Sequence, residues 1–132
     1  MIALDTNIFV RWIMQDDASQ AAKASALLGS LNGDNPGYLT LVTLAELFWV
    51  LDRRYKLARQ EIIDTLIDLL FSGTLRIQEE ASVVEALDAY SRSTTADFSD
   101  CLIARCAISA GCNATYTFDR NASRTAGMTL LA

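Results

Sequence analysis

Short apolar runs that each give way to a longer amphipathic stretch recur along this chain, and that alternation constrains its fold more than any other feature. Met1 to Leu4 reads as a first strand, ended by Asp5-Thr6-Asn7, and Ile8 to Met14 as the helix after it. Asp17 is placed to cap an alanine-rich helix, Ala18 to Leu31, which the turn cluster Asn32 to Gly37 closes. Tyr38 to Val42 is the second strand, and a helix follows from about Thr43 to Tyr55. Ile62, Ile63, Leu66, Ile67 and Leu70 share one face of a helix over Arg59 to Phe71, opposite Glu61, Asp64 and Asp68. Leu75 to Gln78 is the third strand. Val83, Val84, Leu87 and Tyr90 recur at helical spacing within Ala81 to Arg92, and Asp97 to Ala110 forms a helix that Gly111 ends. Thr115 to Phe118 and Met128 to Leu131 complete a set of five strands.

Strands that alternate with helices predict a parallel sheet, because parallel neighbours need crossover connections whose helices must bury an apolar stripe. The fold class read from the pattern is α/β with helices on both faces. The 132 residues, with 52% hydrophobic residues and one proline, suffice for a single domain over 1–132, without visible linker or repeat.

The chain has no histidine. That excludes Ser-His-Asp and Cys-His pairs, a histidine general base and Cys/His zinc sites. Cys101, Cys106 and Cys112 are odd in number, lack CxxC spacing and are read as buried free thiols. The densest apolar stretch, Leu41 to Leu51, is too short to span a bilayer and carries Glu46. The expectation is a soluble, cytoplasmic protein of a reducing compartment. Phe48, Trp49 and Leu51 are expected in the core, and Arg53 to Arg59, RRYKLAR, as a solvated helix end and turn.

Chemistry therefore falls to carboxylates, and their placement is informative. Asp5 closes strand one, Glu46 lies in the first turn after strand two, Asp97 and Asp100 begin a late helix, and Asp119 closes strand four. In open parallel sheets, sites form beyond the carboxyl ends of strands. Oxygen ligands gathered from distant segments suit a hard divalent cation. Each acid also has a structural alternative: Thr43-Leu-Ala-Glu46 fits a capping box, Asp97-Phe-Ser-Asp100 an N-cap with an acid at N3, and Asp5 and Asp119 Asx turns. A cap and a ligand can be one residue. The net charge of −5 argues against a polyanionic partner only weakly. Setting those five acids aside leaves 11 acids against 11 bases, with Arg11, Arg53, Arg54, Arg59, Arg120 and Arg124 available to phosphates.

MIALDTNIFV, TLVTLAELFWVL, ADFSDCLIARCAISAGC and TYTFDRNASRTAGMTLL, in that order and over nearly the whole chain, resemble the PIN-domain ribonucleases. More narrowly, they are similar to VapC-type toxins of bacterial toxin-antitoxin pairs. The resemblance implies a three-layer α/β/α sandwich around a parallel sheet of about five strands, with an acidic pocket that binds Mg2+ or Mn2+. It puts Asp5, Glu46, Asp100 and Asp119 in the four acidic positions, Asp97 as an extra acid, and Thr6, Asn7 and Thr117 as small polar neighbours. It further implies an RNA substrate (tRNA, rRNA or mRNA), a homodimer and a cognate antitoxin. Without histidine, a metal must lower the pKa of the attacking water, which leaves a 5′-phosphate and a 3′-hydroxyl. A receiver-like module with a magnesium pocket fits less well, since the only lysines, Lys23 and Lys56, lie far from the last strand, which Ala132 follows. A catalytically silent binding module is the other alternative.

Overall fold

Four residues in extended backbone conformation decide where helices start. Asp17, Thr40, Asp97 and Asp119 each accept a backbone N–H of the next turn, at 3.0 Å from Gln20, 3.1 Å from Thr43, 3.0 Å from Asp100 and 2.8 Å from Asn121. Each such cap is worth about 1 kcal/mol, because it satisfies an amide that the helix cannot. The computed structural model describes residues 1–131, and Ala132 lies outside them. Two compact units divide at Gln78.

In the first unit, β1 (Ile2–Ala3), α1 (Thr6–Met14), α2 (Ala18–Gly29), β2 (Gly37–Leu39), α3 (Leu41–Trp49), α4 (Arg59–Leu70) and β3 (Leu75–Ile77) follow in order. The strands form one parallel sheet, β1-β2-β3, with Ile2 opposite Gly37 and Tyr38 opposite Arg76. Gly37 stands where packed leucines would have to shift to admit a side chain. A Cβ there would stand 2.8 Å from Leu75 Cδ2 and 2.9 Å from Leu31 Cδ1. Phe9, Leu39, Leu47, Leu51, Ile62 and Leu66 are fully buried.

The second unit holds α5 (Glu80–Ser91), α6 (Phe98–Ser109), β4 (Tyr116–Thr117), α7 (Arg120–Thr125) and β5 (Thr129–Leu130). β4 and β5 pair in parallel. Tyr90 on α5 and Phe98 on α6 meet edge to face, with ring centroids 5.8 Å apart, in a core that also buries Val83, Ala86 and Cys101.

The five strands and the α/β class read from the sequence are present, with three strands in one sheet and two in another. Several local expectations are corrected. Thr43 and Glu46 form no capping box, because Thr40 caps α3 and Glu46 falls in the second turn. The reciprocal half of such a box occurs at α4 instead, where Glu61 accepts the Ala58 N–H at 2.9 Å. The helix expected to run to Tyr55 widens to a π-helical turn over Val50–Arg54. Trp49 is 55% exposed, since Leu44, Leu47, Phe48 and Leu51 take the inward face and Val42, Glu46 and Trp49 the outward one. Ile67 and Val84 are likewise partly exposed, each just off the buried stripe of its helix. The segment Arg120–Thr125, unassigned in the sequence, is a helix. All three cysteines are free, but only Cys101 is buried, and Cys112 lies exposed beyond the end of α6.

The π-helical turn brings Tyr55 to the start of α2. Its hydroxyl donates to Asp16 Oδ2 at 2.7 Å, while Arg11 Nη1 donates to Asp16 Oδ1 at 3.1 Å and Arg11 Nε to Gln20 at 2.7 Å. The Tyr55 hydrogen bond, with Arg11 beside it, lowers the pKa of Asp16 below the usual carboxylate value. A carboxyl group depressed on folding contributes stability above its unfolded pKa and loses it as pH falls through the folded one. Tyr55→Phe is therefore expected to weaken the acid-side fall in stability, read as the urea midpoint between pH 6 and pH 2. An unchanged pH profile would contradict this coupling.

Candidate active site

The acids singled out in the sequence stand at helix starts, and their backbone bonds explain their positions. Asp5 follows β1 by two residues and caps α1, with Oδ1 accepting the Thr6 N–H at 2.8 Å. Asp119 follows β4 by two residues and caps α7, with Oδ1 accepting from Asn121 at 2.8 Å and from Ala122 at 3.1 Å. The same strand, two-residue step and capping aspartate thus occur once in each unit. In both, a single oxygen serves the backbone, and the second has no hydrogen-bond partner among the described residues.

Asp97 and Asp100 are held together at the head of α6, where Asp97 Oδ1 accepts the Asp100 N–H at 3.0 Å and both side chains are half-buried. The N-cap with an acid at N3 is therefore real, and the helix dipole favours both charges. Glu46 stands exposed on the outward face of α3.

The small polar residues sort differently. Thr6 is buried and Asn7 exposed, in the first turn of α1. Thr117 Oγ1 accepts the Asp119 N–H at 3.0 Å, which fixes the step from β4 to its capping acid.

The structure also supplies residues that sequence reasoning missed. Asn121 Nδ2 donates to the Thr95 carbonyl at 2.8 Å and ties the first turn of α7 to the segment leading into α6. Gln78 Oε1 accepts the Leu41 N–H at 2.9 Å, so the end of β3 holds the start of α3. The spacing of Asp119, Ala122 and Ala126 before Gly127 was the available signal for α7.

Among the described residues, no three His, Cys, Asp or Glu side chains are gathered closely enough to hold a metal ion as they stand. The donor chemistry nevertheless suits one. The acids are hard oxygen donors, and Asp5 and Asp119 each keep an oxygen clear of the backbone. At Cys106, burial, aided by the Glu79 carboxylate, raises the thiol pKa and disfavours a thiolate.

A model of the PIN domain matches residues 2–128, across both units. The chain belongs to the PIN domain family. PIN domains are generally metal-dependent nucleases, and the α/β fold with parallel strands agrees with that membership. No curated protein and no solved structure shows a significant match. Among the described residues, no helix is long and apolar enough to cross a membrane.

Proposed function

We propose that the chain is one PIN domain over 1–132 that hydrolyses RNA phosphodiester bonds, with Asp5, Glu46, Asp100 and Asp119 as its acidic positions. The observation that carries this reading is the repeated placement of Asp5 and Asp119, each two residues past a parallel strand with one carboxylate oxygen unspent. In this reading Asp5 and Asp100 would be the principal ligands of a Mg2+ or Mn2+ ion, and Glu46 and Asp119 would bind it or orient its waters. The ion would supply a water of lowered pKa and screen the phosphate charge. Of these four acids, Asp5 and Asp119 are each oriented by the backbone N–H groups that they cap. Thr117 Oγ1 accepts the Asp119 N–H and the Asn121 N–H donates to Asp119 Oδ1, and together they position Asp119.

Asp97 carries both a cap and a charge, and two substitutions separate them. Asp97→Ser keeps a capping oxygen and is expected to leave stability nearly unchanged, whereas Asp97→Ala costs about 1 kcal/mol. If Asp97 is a ligand, both variants lose cleavage. Full cleavage by the serine variant would reduce Asp97 to a cap.

The ordered motifs further support a VapC-type toxin that cuts tRNA, rRNA or mRNA in the cytoplasm, forms a homodimer and is neutralised by a cognate antitoxin. An arginine from such a partner could pair with a pocket carboxylate in place of a metal. The testing experiment is incubation of purified protein with a mixed tRNA and rRNA pool, with Mg2+, with Mn2+ and with EDTA. Discrete cuts that EDTA abolishes are expected. No cuts from folded protein free of a copurified inhibitor would favour a silent binding module.

A further inference from the structure

A chain of net charge −5 can hold a polyanion only where its local charge is inverted, and the second unit contains such a place. A cleft of about 590 Å³ is lined by Arg92 at the end of α5, Arg105 on α6 and Arg124 on α7, with Ser93 and Thr94 between them. The lining thus holds three arginines and a single carboxylate, Asp88, which pairs with Arg92 at 3.0 Å.

Helix-end placement accounts for Arg92 and Arg124 one at a time, since cations are favoured at helix C-termini. It does not account for Arg105, which stands mid-helix and lines the same cleft. Neither Arg105 nor Arg124 has an ion pair or side-chain hydrogen bond among the described residues. Both guanidinium forks are thus available to an oxyanion, and the fork geometry suits phosphate. By contrast, Arg11 and Arg53 are engaged with Asp16 and Asp52. Arg105 follows Asp100 by five residues on α6, and Arg124 follows the cap Asp119 by five. Each is about 7.5 Å along its helix from the acid and about 140° around it, so the strand would have to wrap from one side of the helix to another.

We propose that the cleft walled by Arg92, Arg105 and Arg124 binds a backbone phosphate of the RNA away from the bond that is cut. This inference rests on the nuclease reading for its ligand, but not for its chemistry. An RNA strand whose scissile phosphate is at the acids would continue past the two helices into a positive trough, which supplies affinity without reading bases. Sequence choice would have to come from elsewhere.

The test is fluorescence anisotropy of a labelled single-stranded oligoribonucleotide with the full chain in EDTA, over a series of salt concentrations. Arg105→Ala/Arg124→Ala is expected to weaken binding about tenfold or more and to flatten the log affinity against log salt slope by about 1.4, the contribution of two phosphate contacts on a single strand. Arg105→Lys/Arg124→Lys should keep most of the slope, and Lys56→Ala/Arg76→Ala, at two exposed cations outside the cleft, should leave it unchanged. Thermal melts of each variant verify folding. Equal losses from the Lys56/Arg76 pair, or unchanged affinity and slope in the Arg105/Arg124 pair, would overturn the assignment. Polyglutamate that binds the cleft while RNA does not would point to an acidic protein partner and overturn it too. The two readings fail separately: RNA bound through these arginines without metal-dependent cutting defeats the nuclease, whereas cutting with unaltered binding by the double alanine variant defeats the cleft.

Discussion

Asp100→Asn and, separately, Asp5→Asn are each expected to lower metal-dependent RNA cleavage by more than about 100-fold, the upper end of what outer-shell changes alone cost a metal site. Asparagine preserves the size of the side chain and removes its charge. At position 5 it also keeps an oxygen to accept the Thr6 N–H, so the cap of α1 survives. The melting temperature should therefore stay near that of the unaltered chain while activity disappears. Cleavage rates within tenfold of the original in both variants, measured on folded protein, would remove these residues from the chemistry.

The second large effect concerns the scaffold under the acids of α6. Phe98 is the first residue of that helix, fully buried between Asp97 and the turn that carries Asp100, and its ring meets Tyr90 edge to face. Phe98→Ala removes a whole aromatic side chain and leaves a cavity, at a cost of about 3–5 kcal/mol. Ile103→Ala on the same helix, where the side chain is 54% exposed, should cost less than about 1 kcal/mol. Chemical denaturation of the two variants measures the contrast. A Phe98 variant as stable as the Ile103 variant would mean that the aromatic pair does not hold the head of α6. Because Asp97 and Asp100 are set by this turn, residual folded Phe98 variant should also cleave more slowly.

The parts of this architecture that the sequence made legible are those where one local signal suffices. Asp17 before an alanine-rich run and Asp97 before an apolar one announced their helices, since a short acceptor in front of a helical pattern has few other uses. Competition between neighbouring caps was not legible. Thr40 and Thr43 are both acceptable N-caps, and only the end of β3, through Gln78, favours the earlier start by taking the Leu41 N–H. That tertiary bond moved Glu46 from the first turn of α3 to the second. Ile67, Val84 and Trp49 were misplaced for a related reason: hydrophobicity alone does not decide which edge of a helical stripe meets the core. The helix at Arg120–Thr125 was too short for a periodic pattern and is held by Asp119 and Asn121. The arginine cleft was invisible for the simplest reason, that Arg92, Arg105 and Arg124 lie on three different helices. Of these, only Arg124 stood among the arginines marked in the sequence as available to phosphate.

The proposed carboxylate chemistry rests on the strand ends, which were legible, and on the absence of histidine, which left few alternatives. It makes a chemical commitment that activity alone would not test. A ribonuclease that uses the RNA's own 2′-hydroxyl leaves a 2′,3′-cyclic phosphate, whereas attack by water spares that group. The decisive measurement is the mass of the fragment ends from a single cut in a defined RNA, repeated with a 2′-deoxy nucleotide at the cleavage position. Ends bearing a 5′-phosphate and a 3′-hydroxyl, with cleavage retained at the deoxy position and abolished by EDTA, are predicted. A cyclic phosphate, or loss of cleavage on removing that one hydroxyl, would contradict the account.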